Sequence, residues 1–428
     1  MQQFELGYGK GSQTIAVPKK NILAVVEGNE YPAIENIEAA VKEALRNPIG
    51  SAPLAEIVKP GEKVGLVVSD VTRAWIRYDR FLHYILDELN EAGIPDEDIT
   101  LIVGLGSHRK HTEEEHRSTY GVSADRVKIS QTLSTEEDMF EYLGTTTHGT
   151  EVKVNKIALG QDKLILTGGI VYHLLAGFGG GRKSLLPAIT AYETIQQNHR
   201  LTLKKEVGGG VNPECGSGLT ENNPMNQDMI EIGHMVNPDF IFNITLTAEG
   251  QFAGFFAGDW IKAWEEGCKN VEAVFGVPVP AKADIVIASG GGYPKDINFY
   301  QGSKTFDNAN LAGKDGGVVI SVMEFPDIAE PPDFSAWLDS GTLEEHEMKL
   351  REAYTIPGFI AFKVRVFAKE RTNIIVTKPE NRAFVEKTGM LMAETIDEAF
   401  EMAKKIVGRE DYTVTVMSHA ANTMPVIK

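Results

Sequence analysis

Lys183 closes a glycine-rich run, Gly177, Phe178, Gly179, Gly180, Gly181, Arg182, Lys183 and Ser184, with His173 ten residues before the lysine and His199 sixteen after it. Three consecutive glycines remove every Cβ from the turn, so its backbone can approach a ligand closely. The lysine sets an amine beside the amide donors of that loop. The flanking imidazoles supply proton transfer or metal ligation near neutral pH. Together these residues point to an amine that attacks or holds something bound on the loop.

The other polar constellations follow apolar, β-branched runs. Asp70, Thr72 and Arg73 come after Lys63–Ser69, and Gly104, Gly106, His108 and Arg109 after Ile99–Val103. Gly168, Gly169 and His173 follow Leu164–Thr167, and Gly290, Gly291, Gly292, Lys295 and Asp296 follow Asp284–Ala288. Ligands of open α/β sheets bind beyond the carboxyl ends of strands, so these four loops are expected to meet at one site. Arg73, in an Asp-x-Thr-Arg run, reads as a clamp, because a guanidinium pairs bidentately with a carboxylate or phosphate. Gln301 and Lys304 are three residues apart and share a side if a helix begins there, offering an amide and an ammonium to an oxyanion. A capped helix start with an exposed lysine fits that spacing equally well.

The remaining histidines read as structural. His111 and His116 follow or lie on a charged helix and are expected to face solvent. His83 and His234 fall in amphipathic patterns, and His148 sits in an uninformative Thr/Gly turn. The glycine run also departs from the nucleotide-triphosphate pattern G-x-x-x-x-G-K-[ST]. Gly177, Lys183 and Ser184 fit it, but Arg182 stands where the last glycine belongs. A cofactor phosphate could still rest on these amides.

The elements that must position these residues alternate. Further strands are predicted at Phe240–Thr247, Gly317–Val322, Asn373–Val376 and Tyr412–Val416, and helices at Ile34–Arg46, Asp79–Ala92, Trp260–Val274, Leu343–Tyr354 and Ile396–Val407. Leu82, Ile85, Leu86 and Leu89 recur at i, i+3, i+4 and i+7 and define one apolar face. Thr112 and Glu115 form a capping-box pattern that opens a helix. The βαβα alternation predicts an α/β fold with mainly parallel sheets. Lys205–Asn226, rich in Gly, Asn and Pro, is expected to be a functional or mobile loop.

A chain of 428 residues predicts two domains, and a Pro-spaced connector at Val277–Lys282 marks the boundary. With 42% hydrophobic and 24% charged residues it has the composition of a globular protein. A net charge of −18 opposes general binding to nucleic acid or anionic membranes. Two cysteines, Cys215 and Cys268, make no disulfide framework or cysteine metal site. With neither a signal-peptide pattern nor an apolar run near the ~20 residues of a spanning helix, the expected compartment is the cytoplasm.

In Asp70-x-Thr72-Arg73, Gly106-Ser107-His108-Arg109, His173 with Ala176 through Lys183, His199, and Tyr300-Gln301-x-x-Lys304, taken in this order, the chain resembles the nickel-pincer-nucleotide-dependent lactate racemase family. The resemblance implies two α/β domains with the active site in the cleft between them. Residues 1–277 would carry the cofactor lysine and the histidines, residues 278–411 would contribute Gln301 and Lys304, and the tail 412–428 would return to the first domain. It further implies that Lys183 joins a nickel-pincer nucleotide as a thioamide, with His199 the protein ligand to nickel. His108 and His173 would be the paired acid and base. Arg73 would grip the substrate carboxylate, with Gln301 and Lys304 completing the pocket. Asp70, Thr72 and the amides of Gly179, Gly180 and Gly181 would help place the nucleotide. Implied partners are a 2-hydroxy acid and the proteins that build the cofactor; a homodimer is left open.

The implied chemistry is racemisation or epimerisation at C2. Loss of the C2 hydrogen as hydride leaves a neutral keto group, one imidazole takes the hydroxyl proton, and return of the hydride to the other face inverts the centre. An oxidoreductase releasing the keto acid would need an external electron acceptor. A non-catalytic binding protein, in which Lys183 merely holds an anion, is the third reading. The chain departs from the family pattern where Ala74-Trp75-Ile76-Arg77 follows the Asp70 motif, where Lys110 follows His108-Arg109, and where no tryptophan occurs in Gly358–Lys363. Trp75, Arg77, Phe362 and Lys363 are therefore expected to shape a pocket for a larger or more polar hydroxy acid than lactate.

Overall fold

The eight β-branched runs all form strands, and they divide equally between two six-stranded sheets. The structure, a computed structural model, describes residues 1–428. The chain divides into two units. One, the Lys183 unit, comprises Glu30–Thr202 and Asn212–Ala273; the other, the Lys304 unit, comprises Met1–Asn29, Leu203–Val211 and Val274–Lys428.

The sheet of the Lys183 unit runs in the order Phe252–Gly258, Phe240–Leu246, Lys163–Gly169, Val64–Ser69, Ile99–Gly104, Lys128–Gln131. All neighbours are parallel except the first pair. From Val64–Ser69 the chain builds outward in both directions, so the strand order reverses between Val64–Ser69 and Lys163–Gly169. Such a reversal opens a crevice at the carboxyl ends of the strands. The helix Leu82–Glu91 buries Leu82, Ile85, Leu86 and Leu89 completely, as their spacing predicts, in a core that includes Leu66, Val68, Phe81 and Phe242. Thr112 caps the helix Glu113–Tyr120 through the reciprocal bonds of a capping box.

The Lys304 unit holds an all-parallel sheet ordered Leu391–Ala393, Thr372–Val376, Gly313–Val322, Ala283–Ser289, Val414–Met417, Ile22–Val25. Its reversal point lies between Ala283–Ser289 and Val414–Met417. Ile285, Ile287, Ile320, Ile374 and Val416 form its core, with Phe4, Leu6, Ile15 and Val17 from the N-terminal hairpin packed against them.

This division corrects the expected boundaries. Residues 1–29 leave the first domain because Ile22–Val25 pairs in parallel with Val414–Val416, with one register shift between Val414 and Thr415. The tail does not return to the Lys183 unit: Val414–Met417 lies inside the second sheet, and Met424–Ile427 pairs with Gly276–Val279. The Lys205–Asn226 stretch is also more ordered than its composition suggests. The Glu347 carboxylate accepts from the amides of Gly208 and Gly210 (3.2 and 3.0 Å), and Asn223 caps the helix Pro224–Val236.

Candidate active site

Three of the four expected loops leave adjacent strands of the Lys183 unit, after Ser69, Gly104 and Gly169. The fourth, after Ser289, leaves a strand of the other sheet.

Asp70 is buried, and its two oxygens are both engaged within the protein. Oδ2 lies 2.5 Å from His108 Nδ1, and Oδ1 accepts from Thr72 Oγ1 at 2.7 Å. Burial alone would raise the Asp70 carboxyl, but the bonds from His108 and Thr72 and the charges of His108 and Arg73 outweigh it and hold it below the usual value. A proton on His108 Nδ1 therefore points at Asp70, leaving the Nε2 lone pair outward as a base. Thr72 Oγ1 also accepts from Arg73 Nη1 at 2.9 Å, so Asp70, Thr72, Arg73 and His108 form one connected set. Asp70 and Thr72 thus orient His108 and Arg73.

His111, expected at the surface, is buried and accepts the Val71 amide on Nε2 at 2.8 Å, which pins the loop carrying Asp70. Ser69 is held from both sides, its amide donating to Tyr78 Oη and its carbonyl accepting from Tyr120 Oη.

His173 sits in a short hairpin, Tyr172–His173 against Gly177–Phe178. Its Nδ1 accepts from the amides of Leu175 (3.2 Å) and Ala176 (3.1 Å), so the neutral ring carries its proton on Nε2. The two imidazoles are thereby opposite in kind: His108 presents a lone pair and His173 an N–H. Burial, followed by the charges of Lys183, His199, Arg73 and Arg182, keeps His173 well below its ordinary value. The fold thus brings Lys183, His199 and Arg73, all singled out in the sequence, close enough to bear on His173.

The glycine run forms a tight turn, but its glycines serve the protein's own packing. A Cβ on Gly180 would lie 2.7 Å from Ile170 Cγ1, and one on Gly181 would lie 2.6 Å from the Trp264 ring, at φ of 63° and 56°. The Gly179 amide donates to the Val171 carbonyl at 2.8 Å and the Gly181 amide to Asn243 Oδ1 at 3.1 Å. These contacts occupy the amides of Gly179 and Gly181, two of the three expected to help place a nucleotide. Arg182, the residue that broke the nucleotide-loop pattern, is the staple. It is buried with its guanidinium 3.9 Å from the Trp264 ring centroid and donates to Asn226 Oδ1 (2.5 Å) and the Ala176 carbonyl (2.8 Å).

The turn delivers Lys183 into the cluster. Burial, then the charges of Arg182 and Arg73, pulls its amine down to about 7. His199 lies in the last turn of the helix Tyr192–Arg200, buried, with Nδ1 donating to the Ile195 carbonyl at 2.8 Å. That bond leaves the lone pair on Nε2. Burial and then the Lys183 charge, partly offset by the Ile195 bond, lower the ring to about 3, so it stays neutral through the physiological range.

These features fit a covalently held metal cofactor. A lysine near 7 has a neutral, nucleophilic fraction at working pH, and a neutral imidazole with a fixed tautomer can ligate a soft or borderline metal. No three His, Cys, Asp or Glu side chains cluster as a metal site, so most ligands to a metal beside His199 would have to come from its organic carrier.

In the Lys304 unit, the helix Phe299–Ala312 begins where the spacing of Gln301 and Lys304 requires. Asn298 Oδ1 accepts the Gln301 amide at 2.8 Å, capping the first turn. The four residues expected to form a roomier pocket have structural roles instead. Trp75 covers Gly169, where a Cβ would stand 2.5 Å from its ring, and Arg77 bonds the Gly250 carbonyl. Phe362 is buried edge-on against His346, and Lys363 is paired with Asp307 at 2.7 Å.

Sequence reasoning missed His111, Arg182, Asn243 and Trp264. Asn243 alone gave a signal: an asparagine inside the apolar run Phe240–Leu246 must find a partner once buried.

Residues 8–209 match the family model described as lactate racemase N-terminal domain, and residues 279–424 that described as lactate racemase C-terminal domain. The lactate racemase of Thermoanaerobacterium thermosaccharolyticum is 31% identical over 423 residues, 96% of each chain. That of Lactiplantibacillus plantarum is 30% identical over 417 residues, 94% of this chain and 95% of its own. The structure of the lactate racemase apoprotein from T. thermosaccharolyticum matches with a TM-score of 0.85 at 28% identity, covering 99% of this chain and 100% of that one. A Thermotoga maritima protein of 16% identity shares the fold, with a TM-score of 0.62 over 93% of this chain and 100% of its own.

Proposed function

The chain belongs to the lactate racemase family and is an isomerase, and on that premise we propose that it inverts C2 of a 2-hydroxy acid by reversible hydride transfer. The observation that carries this reading is the convergence of Lys183, lowered to about 7, with His173, His199 and Arg73: the Lys183 charge bears on both imidazoles, and the Arg73 charge on Lys183 and His173. The amine of Lys183 would hold a nickel-pincer nucleotide covalently, and His199 Nε2 would ligate its nickel. When bound, that group supplies the hydride acceptor.

The remaining work falls to side chains of this chain. Taking the C2 hydrogen as a proton would put a second negative charge beside the carboxylate, whereas its loss as hydride requires only that a base receive the hydroxyl proton. His108 Nε2 is that base, with Asp70 fixing the tautomer and stabilising the imidazolium that forms. Arg73, steadied by Thr72, anchors the carboxylate while the keto centre turns over. His173 serves the opposite face and offers Nε2–H to the oxygen; to carry a second proton on Nδ1 it must displace the Leu175 and Ala176 amides. Gln301 and Lys304 keep the substrate-binding role that their motif implies.

The test uses protein produced together with cofactor-building proteins. Incubated with one enantiomer of lactate, it should drive optical rotation to zero, and its intact mass should carry an increment on Lys183 with stoichiometric nickel. Net keto-acid accumulation would instead identify an oxidoreductase. No change by loaded protein toward any 2-hydroxy acid would identify a binding protein.

A further inference from the structure

The helix that carries His199, Tyr192–Arg200, is nine residues long and too short to be stable alone in water. Its placement therefore comes from what it touches. Thr194, Gln197 and Asn198 fall at i, i+3 and i+4 and make one polar row. Thr194 Oγ1 donates to the Glu151 carbonyl at 2.6 Å and accepts the Lys153 amide at 3.1 Å. Gln197 Oε1 accepts the Glu151 amide at 2.6 Å, so this part of the row is moored to the strand Glu151–Asn155. His199 lies one position beyond Asn198, about 100° further around the axis. The moored row thus sets the direction in which the imidazole leaves the helix.

Asn198, fully buried, closes the row on a different partner. Its Nδ2 donates to Asp228 Oδ2 at 2.8 Å and to the Met225 carbonyl at 3.1 Å, both on the helix Pro224–Val236. Its Oδ1 has no hydrogen-bond partner, so the amide is held from its nitrogen alone. Asp228 is fully buried as well. It also accepts from Thr150 Oγ1 on Oδ2 (2.8 Å) and from Thr146 Oγ1 on Oδ1 (2.5 Å), both in the turn that leads into Glu151. A buried carboxylate is costly unless hydrogen bonds replace its water, and such bonds are stronger than those between neutral groups. Here they join the helix of His199, the turn before its mooring strand and the helix Pro224–Val236 at one side chain. That last helix also reaches the other reactive segments. Asn223, its cap, donates from Nδ2 to the carbonyl of Leu175, two residues after His173, and Asn226 receives Arg182, next to Lys183.

We propose that Asp228, acting through Asn198, is the positioning residue for His199 as a nickel ligand. This rests on the reading that His199 ligates nickel. Every residue in this set of contacts belongs to the Lys183 unit. The effect should be read at the metal, because groups that orient a metal ligand set how tightly the metal is kept.

The experiment compares cofactor-loaded wild type, Asp228→Asn and Asn198→Leu with Leu86→Ala, which destabilises the core far along the chain from these contacts. Nickel remaining on the protein is followed by plasma mass spectrometry during incubation with EDTA, and the increment on Lys183 by intact mass. Asp228→Asn keeps the side chain's shape but gives up one of the two acceptor oxygens. Both variants of the contact should lose nickel about 10- to 100-fold faster than wild type, with the increment on Lys183 retained and KM unchanged. Leu86→Ala should lose nickel at the wild-type rate. In the apoproteins, the pH midpoint for acetylation of Lys183 should stay at about 7 in both contact variants, since the charges that bear on that amine are those of Arg182 and Arg73. Nickel loss at the wild-type rate in both contact variants would overturn the proposal and leave the racemase reading intact. Equally fast loss from Leu86→Ala, or a Lys183 midpoint that moves together with nickel loss, would reduce the effect to general loosening and also overturn it. A loaded wild type without nickel would remove the reading beneath the proposal as well.

Discussion

Asp70 and His108 were legible as chemistry-bearing residues, but their relation to each other was not. Thirty-eight positions separate them, and only the pairing of adjacent strands brings the carboxylate to 2.5 Å from the imidazole. Asp70→Asn tests the consequence. The amide can present its N–H to Nδ1, which would move the imidazole proton to Nε2 and remove the base. The expected result is a kcat lowered about 10²- to 10⁴-fold with a small change in KM, measured by polarimetry on fully loaded protein. An Asp70→Asn enzyme of near-normal kcat would take His108 out of the base role. Lys183 makes a separate prediction in the apoprotein. Its amine is protonated and unreactive below about 7 and neutral above it, so acetic anhydride labelling followed by peptide mass spectrometry should rise with pH through about 7, not through the ~10.4 of an ordinary lysine. A labelling midpoint above 9 would contradict the environment described for it.

At the scale of elements, the local rules held where the signal was local. The helix Leu82–Glu91, the capping box at Thr112 and the helix start at Asn298 all follow from spacing and side-chain type. The glycine turn was recognised but misread, because a run of glycines looks the same whether it cradles a ligand or packs against Trp264 and Ile170. Arg182 is the residue that decides between the two. Arg182→Met would remove its stacking on Trp264 and leave the Ala176 carbonyl and Asn226 Oδ1 without their donor. Those losses should cost about 3–5 kcal/mol of stability in urea unfolding. Because the Arg182 charge helps to lower Lys183, the labelling midpoint of Lys183 should also move up in this variant. A variant of unchanged stability and midpoint would mean that the turn holds its shape without Arg182.

At the scale of the molecule, the α/β class and the two sheets followed from alternating β-branched and amphipathic runs. The partition of the chain did not. Ile22–Val25 pairs with a strand about 390 residues later, and no periodicity within either segment announces such a partner. The prolines near Val277 lie just inside the second unit, which begins at Val274, and nothing in them announced that the first 29 residues belong to it as well. Substrate-side residues suffered the same limit. Trp75, Phe362 and Lys363 differ from the family pattern and so drew attention, yet each is absorbed by packing or an ion pair. No helix is long and apolar enough to cross a membrane.

The central claim, that C2 is inverted by hydride transfer while His108 handles only the hydroxyl proton, is tested most directly by racemising a single lactate enantiomer with the holoenzyme in D₂O. Hydride held within the site does not exchange with solvent, so mass spectrometry and proton NMR of the racemised product should find hydrogen retained at C2. Deuterium appearing at C2 in step with inversion would show that the hydrogen leaves as a proton, and would contradict the account.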